Sequence, residues 1–339
     1  IEDSELTWGE SNMLLVTTKC VFTHACGKRL VDVNPCRGIR ARFDRNEPPV
    51  FDGWGLAAGN SHAISAATAG ITPANAGRLR LKWAFGFPGA QRARSQATLA
   101  GGAIFVGSHT GRVYALDRET GCVRWTFDAS AEVRTAVLVQ DWRAGDAKAQ
   151  PLAWFGDAVG NIYAVEAFTG RQVWKVKADQ HPAATITGTP ALHNGTLYVP
   201  ISSFEEAAAF NPLYTCCTFR GSLVAMDAAT GREKWRTWLV DEPKSTGANK
   251  AGAQQMGPSG VPVWNTPAID PERNQLTIGV GDNYSAPSTE LHDSVLALDL
   301  DTGRIKWRFT ETENDAWNAA CTMPDLSKNC PDEGGPDFD

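Results

Sequence analysis

One pattern recurs four times in this 339-residue chain: an apolar alternation, an acidic residue, a Thr-Gly pair and, four residues beyond the Gly, a Trp. The copies are Ala115-Leu116-Asp117-Arg118-Glu119-Thr120-Gly121 to Trp125, and Ala164-Val165-Glu166-Ala167-Phe168-Thr169-Gly170 to Trp174. The other two are Ala225-Met226-Asp227-Ala228-Ala229-Thr230-Gly231 to Trp235, and Ala297-Leu298-Asp299-Leu300-Asp301-Thr302-Gly303 to Trp307. A degenerate earlier copy, Leu81-Lys82-Trp83-Ala84-Phe85, keeps only the final strand. A repeat of this kind decides the architecture before any single element does.

Each copy reads as a β-hairpin. Val-Tyr-Ala-Leu-Asp alternates with period two, the Thr-Gly turn uses the freedom of Gly at positive φ, and a second strand carries the Trp to a fixed place. Two further strand candidates precede each hairpin, as in Ala103-Ile104-Phe105-Val106 and Gly195-Thr196-Leu197-Tyr198-Val199. Four short strands per repeat make a propeller blade. No apolar stripe of helical period accompanies them, which excludes a helical solenoid. The repeated Trp is then a large aromatic buried between blades. Successive Trp residues lie 42, 49, 61 and 72 positions apart, so insertions lengthen along the chain ahead of each hairpin. Such loops on one face of a rigid scaffold are where function concentrates.

Composition narrows the class. A net charge of −6 without any Lys/Arg block speaks against nucleic acid as a partner. The longest early apolar run, Met13-Leu14-Leu15-Val16, is too short for a membrane span or a signal core. Eight cysteines include no Cys-x-x-Cys spacing, which removes zinc ribbons, thioredoxin motifs and covalent c-type haem. Cys321 and Cys330 flank a loop rich in Pro, Asp, Ser and Asn and are placed to close it as a disulfide, two separate buried thiols being the alternative. This cysteine usage points to an oxidising compartment, periplasmic or secreted. Residues 1–49 show no repeat and read as a linker or the remnant of a preceding domain, with the propeller over 50–339.

The Ala-x-Asp-x-x-Thr-Gly-x-x-x-Trp pattern resembles the tryptophan-docking motif of quinoproteins, eight-bladed propeller dehydrogenases that hold pyrroloquinoline quinone (PQQ). Finer features are similar to the polyvinyl-alcohol-dehydrogenase branch: Phe51-Asp52-Gly53-Trp54-Gly55 with Asn60, Leu81 through Gly89, Gly281-Asp282-Asn283-Tyr284-Ser285, and Asp315-Ala316-Trp317-Asn318. The resemblance runs from about Phe51 to Asp339 and implies an all-β quinoprotein propeller.

It also implies a site. In the family, PQQ lies on the propeller axis, stacked on a Trp and chelating Ca²⁺. Trp264 matches the stacking position and is not one of the repeat Trp residues. Glu205, in Ser202-Ser203-Phe204-Glu205 ahead of Arg220-Gly221, matches the carboxylate metal ligand, with Glu206 adjacent. Ser202 and Thr187 match positions that hydrogen-bond the polar edge of the quinone. The second metal ligand of the family follows a Gly-x-Gly; here that loop reads Gly279-Val280-Gly281-Asp282-Asn283, and either Asp282 or Asn283 offers a hard oxygen.

Two departures stand out. The family's catalytic base is the Asp of a Trp-Asp pair, whereas this chain has Trp317-Asn318. An amide cannot accept the proton of an alcohol, so either Asp315, three residues earlier on that segment, serves as base, or this branch uses a different residue, or catalysis is impaired. The family's vicinal disulfide also has no counterpart at its usual register, occupied here by Arg134-Thr135-Ala136-Val137, while Cys216-Cys217 falls in a later insertion. Arg134 becomes a candidate cofactor contact, with a surface or interblade Arg as the alternative.

The resemblance thus implies alcohol oxidation, including secondary alcohols or polyvinyl alcohol. Hydride would pass to PQQ, Ca²⁺ would polarise the carbonyl that receives it, and a cytochrome c would accept the electrons. The competing reading is a non-enzymatic propeller that scaffolds protein–protein contacts. Blade arithmetic adds a third, an inactive truncated dehydrogenase. At an average of 56 residues per blade, the 289 residues from Phe51 suffice for about five blades, where eight need about 450. The expectation is therefore an open ring and a fragment of a longer enzyme.

Overall fold

The computed structural model describes Cys36 and residues 43–50, 54–56, 59–310, 312–322 and 329–331. The repeat builds four sheets in chain order. The first blade is β1 (Thr98–Ala100), β2 (Ala103–Val106), β3 (Arg112–Asp117) and β4 (Val123–Asp128). The second is β5 (Leu138–Val139), β6 (Leu152–Gly156), β7 (Asn161–Glu166) and β8 (Gln172–Lys177). The third contains β9 (Ala184–Thr185), β10 (Ala191–His193), β11 (Thr196–Ser203), β12 (Ser222–Asp227) and β13 (Glu233–Trp238). A hairpin, β14 (Lys244–Ala248) and β15 (Gln254–Gly257), and a short pair, β16 (Ser259–Gly260) with β19 (Asn283–Ser285), flank the fourth blade. That blade is β17 (Ala268–Asp270), β18 (Gln275–Val280), β20 (Ser294–Asp299) and β21 (Ile305–Thr310). Among the described residues, helix is confined to short turns such as α1 (Ala66–Ala69) and α2 (Glu205–Ala208).

Every neighbouring pair within a blade is antiparallel, and the third and fourth strands slip register after the alternation, at Ala115/Leu116 and its equivalents in the other blades. The first sheet does not pair with the last among the described residues, so the propeller is partial and its ring open.

The repeat residues each perform one task. The acidic residue takes the Thr hydroxyl three positions on: Asp117 from Thr120 at 2.9 Å, Asp227 from Thr230 at 2.7 Å and Asp299 from Thr302 at 2.8 Å. The Trp indole N–H crosses to the next blade and donates to the carbonyl three residues before that blade's Gly. Trp83 thus reaches Arg118, Trp125 reaches Ala167, Trp174 reaches Ala228 and Trp235 reaches Leu300, at 2.9 to 3.2 Å. Phe127 adds an apolar contact across the joint between the first and second blades, its ring 5.5 Å from Phe155 and 5.4 Å from Tyr163. These joints bury the cores between blades rather than inside one sheet.

Residues 43–49, expected within a linker or the remnant of a preceding domain, are packed onto the first and second blades. Asp44 N–H donates to Gly101 O, Gly101 N–H to Glu47 O, and Phe43 stacks on Phe168 with centroids 4.9 Å apart. A disulfide joins Cys36 to Cys122. The remainder of residues 1–42 and the Phe51-Asp52-Gly53 motif lie outside the described residues.

Candidate active site

The insertions of the third and fourth blades meet along one loop, residues 261–265. Val263 N–H donates to Ile201 O at 3.0 Å, Val261 N–H to Asp282 O at 2.6 Å, and Gly281 N–H to Pro262 O at 3.1 Å. The Asn265 side chain closes the loop on Gly279, donating to its carbonyl at 2.6 Å. A Cβ on Gly188 would lie 2.4 Å from Asn265 O, so Gly is what lets the Thr187-Gly188 segment pass so near Trp264-Asn265. The expected residues Thr187, Ser202, Trp264 and Asp282 therefore sit on segments gathered around one loop. The Trp264 indole is 51% exposed, unlike the docking residue Trp125 at 9%.

Next to this loop lie three buried carboxylates. Ligand oxygens of Asp282, Asp293 and Asp315 fall within 4.8 Å of one another. Two of them, Asp282 and Asp315, were singled out from sequence as metal ligand and base. Asp293 was not. The signal was present in the repeat: the residue before the third strand is Gly111 in the first blade and Gly160 in the second, both at positive φ, and in the fourth blade that place is held by Asp293 at φ 44°. A non-Gly residue at positive φ carries a backbone cost, and Asp is among the few that tolerate it.

Other expected residues are placed differently. Glu205 lies outside that trio, fully buried at the start of α2. Its carboxylate accepts from Tyr214 OH at 2.8 Å, Thr218 N–H at 2.8 Å, Phe219 N–H at 2.7 Å and the Thr218 hydroxyl at 3.1 Å, with His181 Nε2 at 3.5 Å. Burial pushes its pKa up, but the His181 hydrogen bond and the two amides outweigh this and hold the carboxyl below the usual carboxylate range. Burial, then the neighbouring Glu205 charge, raise the Tyr214 phenol. Glu205 is thus the anion that ties α2 to the segment following Cys216-Cys217.

Asn283 is likewise engaged by protein. Its Nδ2 donates to Ser259 O at 2.9 Å and its Oδ1 accepts from Thr289 N–H at 2.6 Å. Asn318 is buried, with Nδ2 donating to Tyr284 O at 2.9 Å and Asn329 O at 2.8 Å, and Oδ1 accepting from Ala320 N–H at 2.9 Å. It holds the segment that carries Asp315, its amide donating to two carbonyls and accepting from one N–H. Cys216 and Cys217 form a disulfide packed in the interior beside Asn318, and Cys321–Cys330 closes the following loop. The Arg134 guanidinium pairs with Glu132 at 3.1 Å and lies 5.0 Å from the Phe204 ring, one residue from Glu205. Burial raises the Glu132 carboxyl, but Arg92 and Arg134 outweigh it and hold the group low.

Residues 56–330 match the β-propeller domain of PQQ glucose/ethanol/alcohol dehydrogenases. The chain belongs to this quinoprotein family. It is 40% identical over 309 residues to a polyvinylalcohol dehydrogenase of Pseudomonas sp. and 36% identical over 310 residues to that of Sphingopyxis sp., covering 91% of this chain and 47% of each relative. A solved quinohemoprotein alcohol dehydrogenase from Comamonas testosteroni shares its fold, with a TM-score of 0.59 and 22% identity over 88% of this chain and 46% of the other. The chain spans about half the length of the curated relatives it matches.

The residues present fit the quinoprotein's cofactor. Arg134 Nε and Thr185 Oγ1 are buried polar atoms without a hydrogen-bond partner among the described residues, and Thr185 pairs with Ser202 in the sheet. A flat quinone bearing carboxylates offers acceptors for both, and the exposed Trp264 face offers a stacking surface. The three-carboxylate donor set of hard oxygens suits a cation such as Ca²⁺.

Proposed function

We propose that this chain forms the cofactor-binding half of a PQQ- and Ca²⁺-dependent alcohol dehydrogenase acting on secondary alcohol groups, polyvinyl alcohol among them. The convergence of Asp282, Asp293 and Asp315 beside the Trp264 loop is the observation that supports this reading most strongly. When bound, PQQ supplies the electrophilic carbonyl that takes hydride, and Ca²⁺ makes that carbonyl more electrophilic.

The protein's own residues do the rest. Trp264 presents an aromatic face, Thr187 and Ser202 present hydroxyls, and Arg134 presents positive charge to an anionic ring system. Asp282 and Asp293 would hold the cation. Asp315 takes the hydroxyl proton of the alcohol on a carboxylate oxygen, a role for which the neutral amide of Asn318 is not basic enough. Electrons leave to an external acceptor such as a cytochrome c in an oxidising compartment. No helix among the described residues is long and apolar enough to cross a membrane.

Calorimetric titration of the chain with PQQ and Ca²⁺, with alcohol-dependent dye reduction by the full-length protein, tests this. Binding that needs both ligands, and oxidation lost in Asp315→Ala, are expected. A full-length protein that binds no PQQ, or an Asp315→Ala variant that still oxidises alcohol, overturns the assignment.

A further inference from the structure

A buried histidine belongs to none of the roles above. His292 is 3% exposed and sits immediately before Asp293. Its Nε2 accepts a hydrogen bond from Asp315 N–H at 3.1 Å, and its Nδ1 contacts Thr289 O. An amide N–H can only donate, so Nε2 presents its lone pair and the ring proton resides on Nδ1, donated to Thr289. Both ring nitrogens are used in one orientation.

The other end of this contact is anchored too. Thr289 N–H donates to Asn283 Oδ1 at 2.6 Å, and Asn283 Nδ2 donates to Ser259 O. The His292 backbone is fixed by the Ser294 hydroxyl on its carbonyl at 2.8 Å. A continuous line of hydrogen bonds therefore runs from β16 through Asn283, Thr289 and His292 to the main chain of Asp315. The Asp315 segment itself belongs to no strand longer than a bridge. Trp317 N–H on Asn283 O at 2.8 Å and the Asn318 amide hold its far side.

We infer that His292 is the positioning residue for Asp315: its unprotonated Nε2 fixes the Asp315 backbone, and so aims the carboxylate at the site shared with Asp282 and Asp293. The inference rests on the proposed role of Asp315 as base. It also gives Asn283, engaged at both ends of its amide, the task of orienting that histidine. A group acting through such an outer contact typically changes activity by about 10- to 100-fold when lost.

Two conservative variants separate the two ring nitrogens. In His292→Gln the side-chain amide reaches the place of Nε2 and its oxygen can still accept from Asp315. In His292→Asn the shorter amide reaches the place of Nδ1 and can still donate to Thr289 but not reach Asp315. The expected result, in the full-length protein with PQQ and Ca²⁺, is a kcat within about threefold of wild type for His292→Gln. For His292→Asn, kcat should fall by about 10- to 100-fold with KM little changed.

Hydrogen exchange at the Asp315 amide, followed without cofactor, should remain slow in wild type and His292→Gln and become fast in His292→Asn. Equal kcat for the two variants in an active enzyme overturns the positioning role alone. Unchanged Asp315 exchange in His292→Asn overturns the contact itself. An inactive wild type with protected Asp315 exchange overturns the proposed alcohol oxidation, and with it the catalytic purpose of the contact.

Discussion

The Trp235 indole lies so close over Gly303 that a Cβ on the glycine would come within 2.5 Å of the ring. The same ring donates its N–H to Leu300 O at 3.2 Å, and Thr237 Oγ1 donates to Gly303 O at 2.7 Å. Gly303 is at φ 71°, where any side chain also meets its own backbone. The fourth blade therefore closes on the third through one turn that only Gly can make.

Gly303→Ala should consequently destabilise the chain by about 2–4 kcal/mol, the sum of a left-handed alanine and a displaced indole. Trp235→Ala should cost about 3–5 kcal/mol. Because part of the clash is with the indole, Thr237 Oγ1 lying equally near, the double variant should cost less than the two single effects added, as read from urea midpoints at constant slope. Strict additivity would show that the turn and the indole do not share this contact. By contrast, Trp307 is 45% exposed, and Trp307→Ala should fall within about 1 kcal/mol of wild type in this chain.

Restoring the family's Trp-Asp pair should harm this protein. Asn318 Nδ2 donates to two main-chain carbonyls, of Tyr284 and Asn329, in a buried position. An aspartate there would direct a carboxylate oxygen at both of them, losing two hydrogen bonds and burying a charge against like dipoles. Asn318→Asp is expected to lower stability by about 3 kcal/mol or more. No gain in alcohol oxidation should accompany it. A variant as stable as wild type, or a faster one, would return the catalytic role to position 318.

The propeller was legible because each repeat residue has a local or one-blade task. The acidic residue takes the Thr hydroxyl, the Gly supplies the turn, and the Trp supplies the joint, so chemistry and spacing recur together. The site was legible only where a residue broke that rhythm. Trp264 stood out as a Trp off the repeat at the stacking position that the quinoprotein resemblance implies, Asp282 at the ligand position after a Gly-x-Gly, and Asp315 as the carboxylate near the Trp317-Asn318 pair. Asp293 and His292 were missed because they occupy a repeat position in an unrepeated way, which shows only when the fourth blade is laid against Gly111 and Gly160. Glu205 and Asn283 have the residue types of metal ligands. Sequence could not show that the backbone amides of 218 and 219 and of 289 hydrogen-bond to their oxygens. The Cys36–Cys122 link, 86 residues apart in sequence, gave no local signal at all.

Trp264→Ala separates cofactor stacking from fold. With half its surface exposed, the indole should contribute little to stability, so the variant's urea midpoint should stay close to wild type. Its affinity for PQQ should fall at least about tenfold, the equivalent of losing one aromatic stacking contact, while Trp264→Phe recovers part of it. Unchanged PQQ affinity measured by calorimetry would remove Trp264 from the cofactor site.

Glu205 gives the chain a titrating element in its interior. Its carboxyl is held below the usual range in the folded protein, against about 4.3 in an unfolded chain. The folded state therefore binds this proton less readily than the unfolded state. The stabilisation is complete above the unfolded value and is lost as pH falls toward and through the folded one. Glu205→Gln keeps the shape but turns part of the acceptor carboxylate into a donor facing the Thr218 and Phe219 amides. The variant should be about 3 kcal/mol less stable than wild type at pH 7. That gap should narrow as the pH is taken below about 4, because wild type loses the same contribution by protonation. Urea denaturation of both proteins at pH 7 and near pH 3.5 checks the sign. A gap that widens in acid would mean that Glu205 is already protonated in the folded chain at neutral pH.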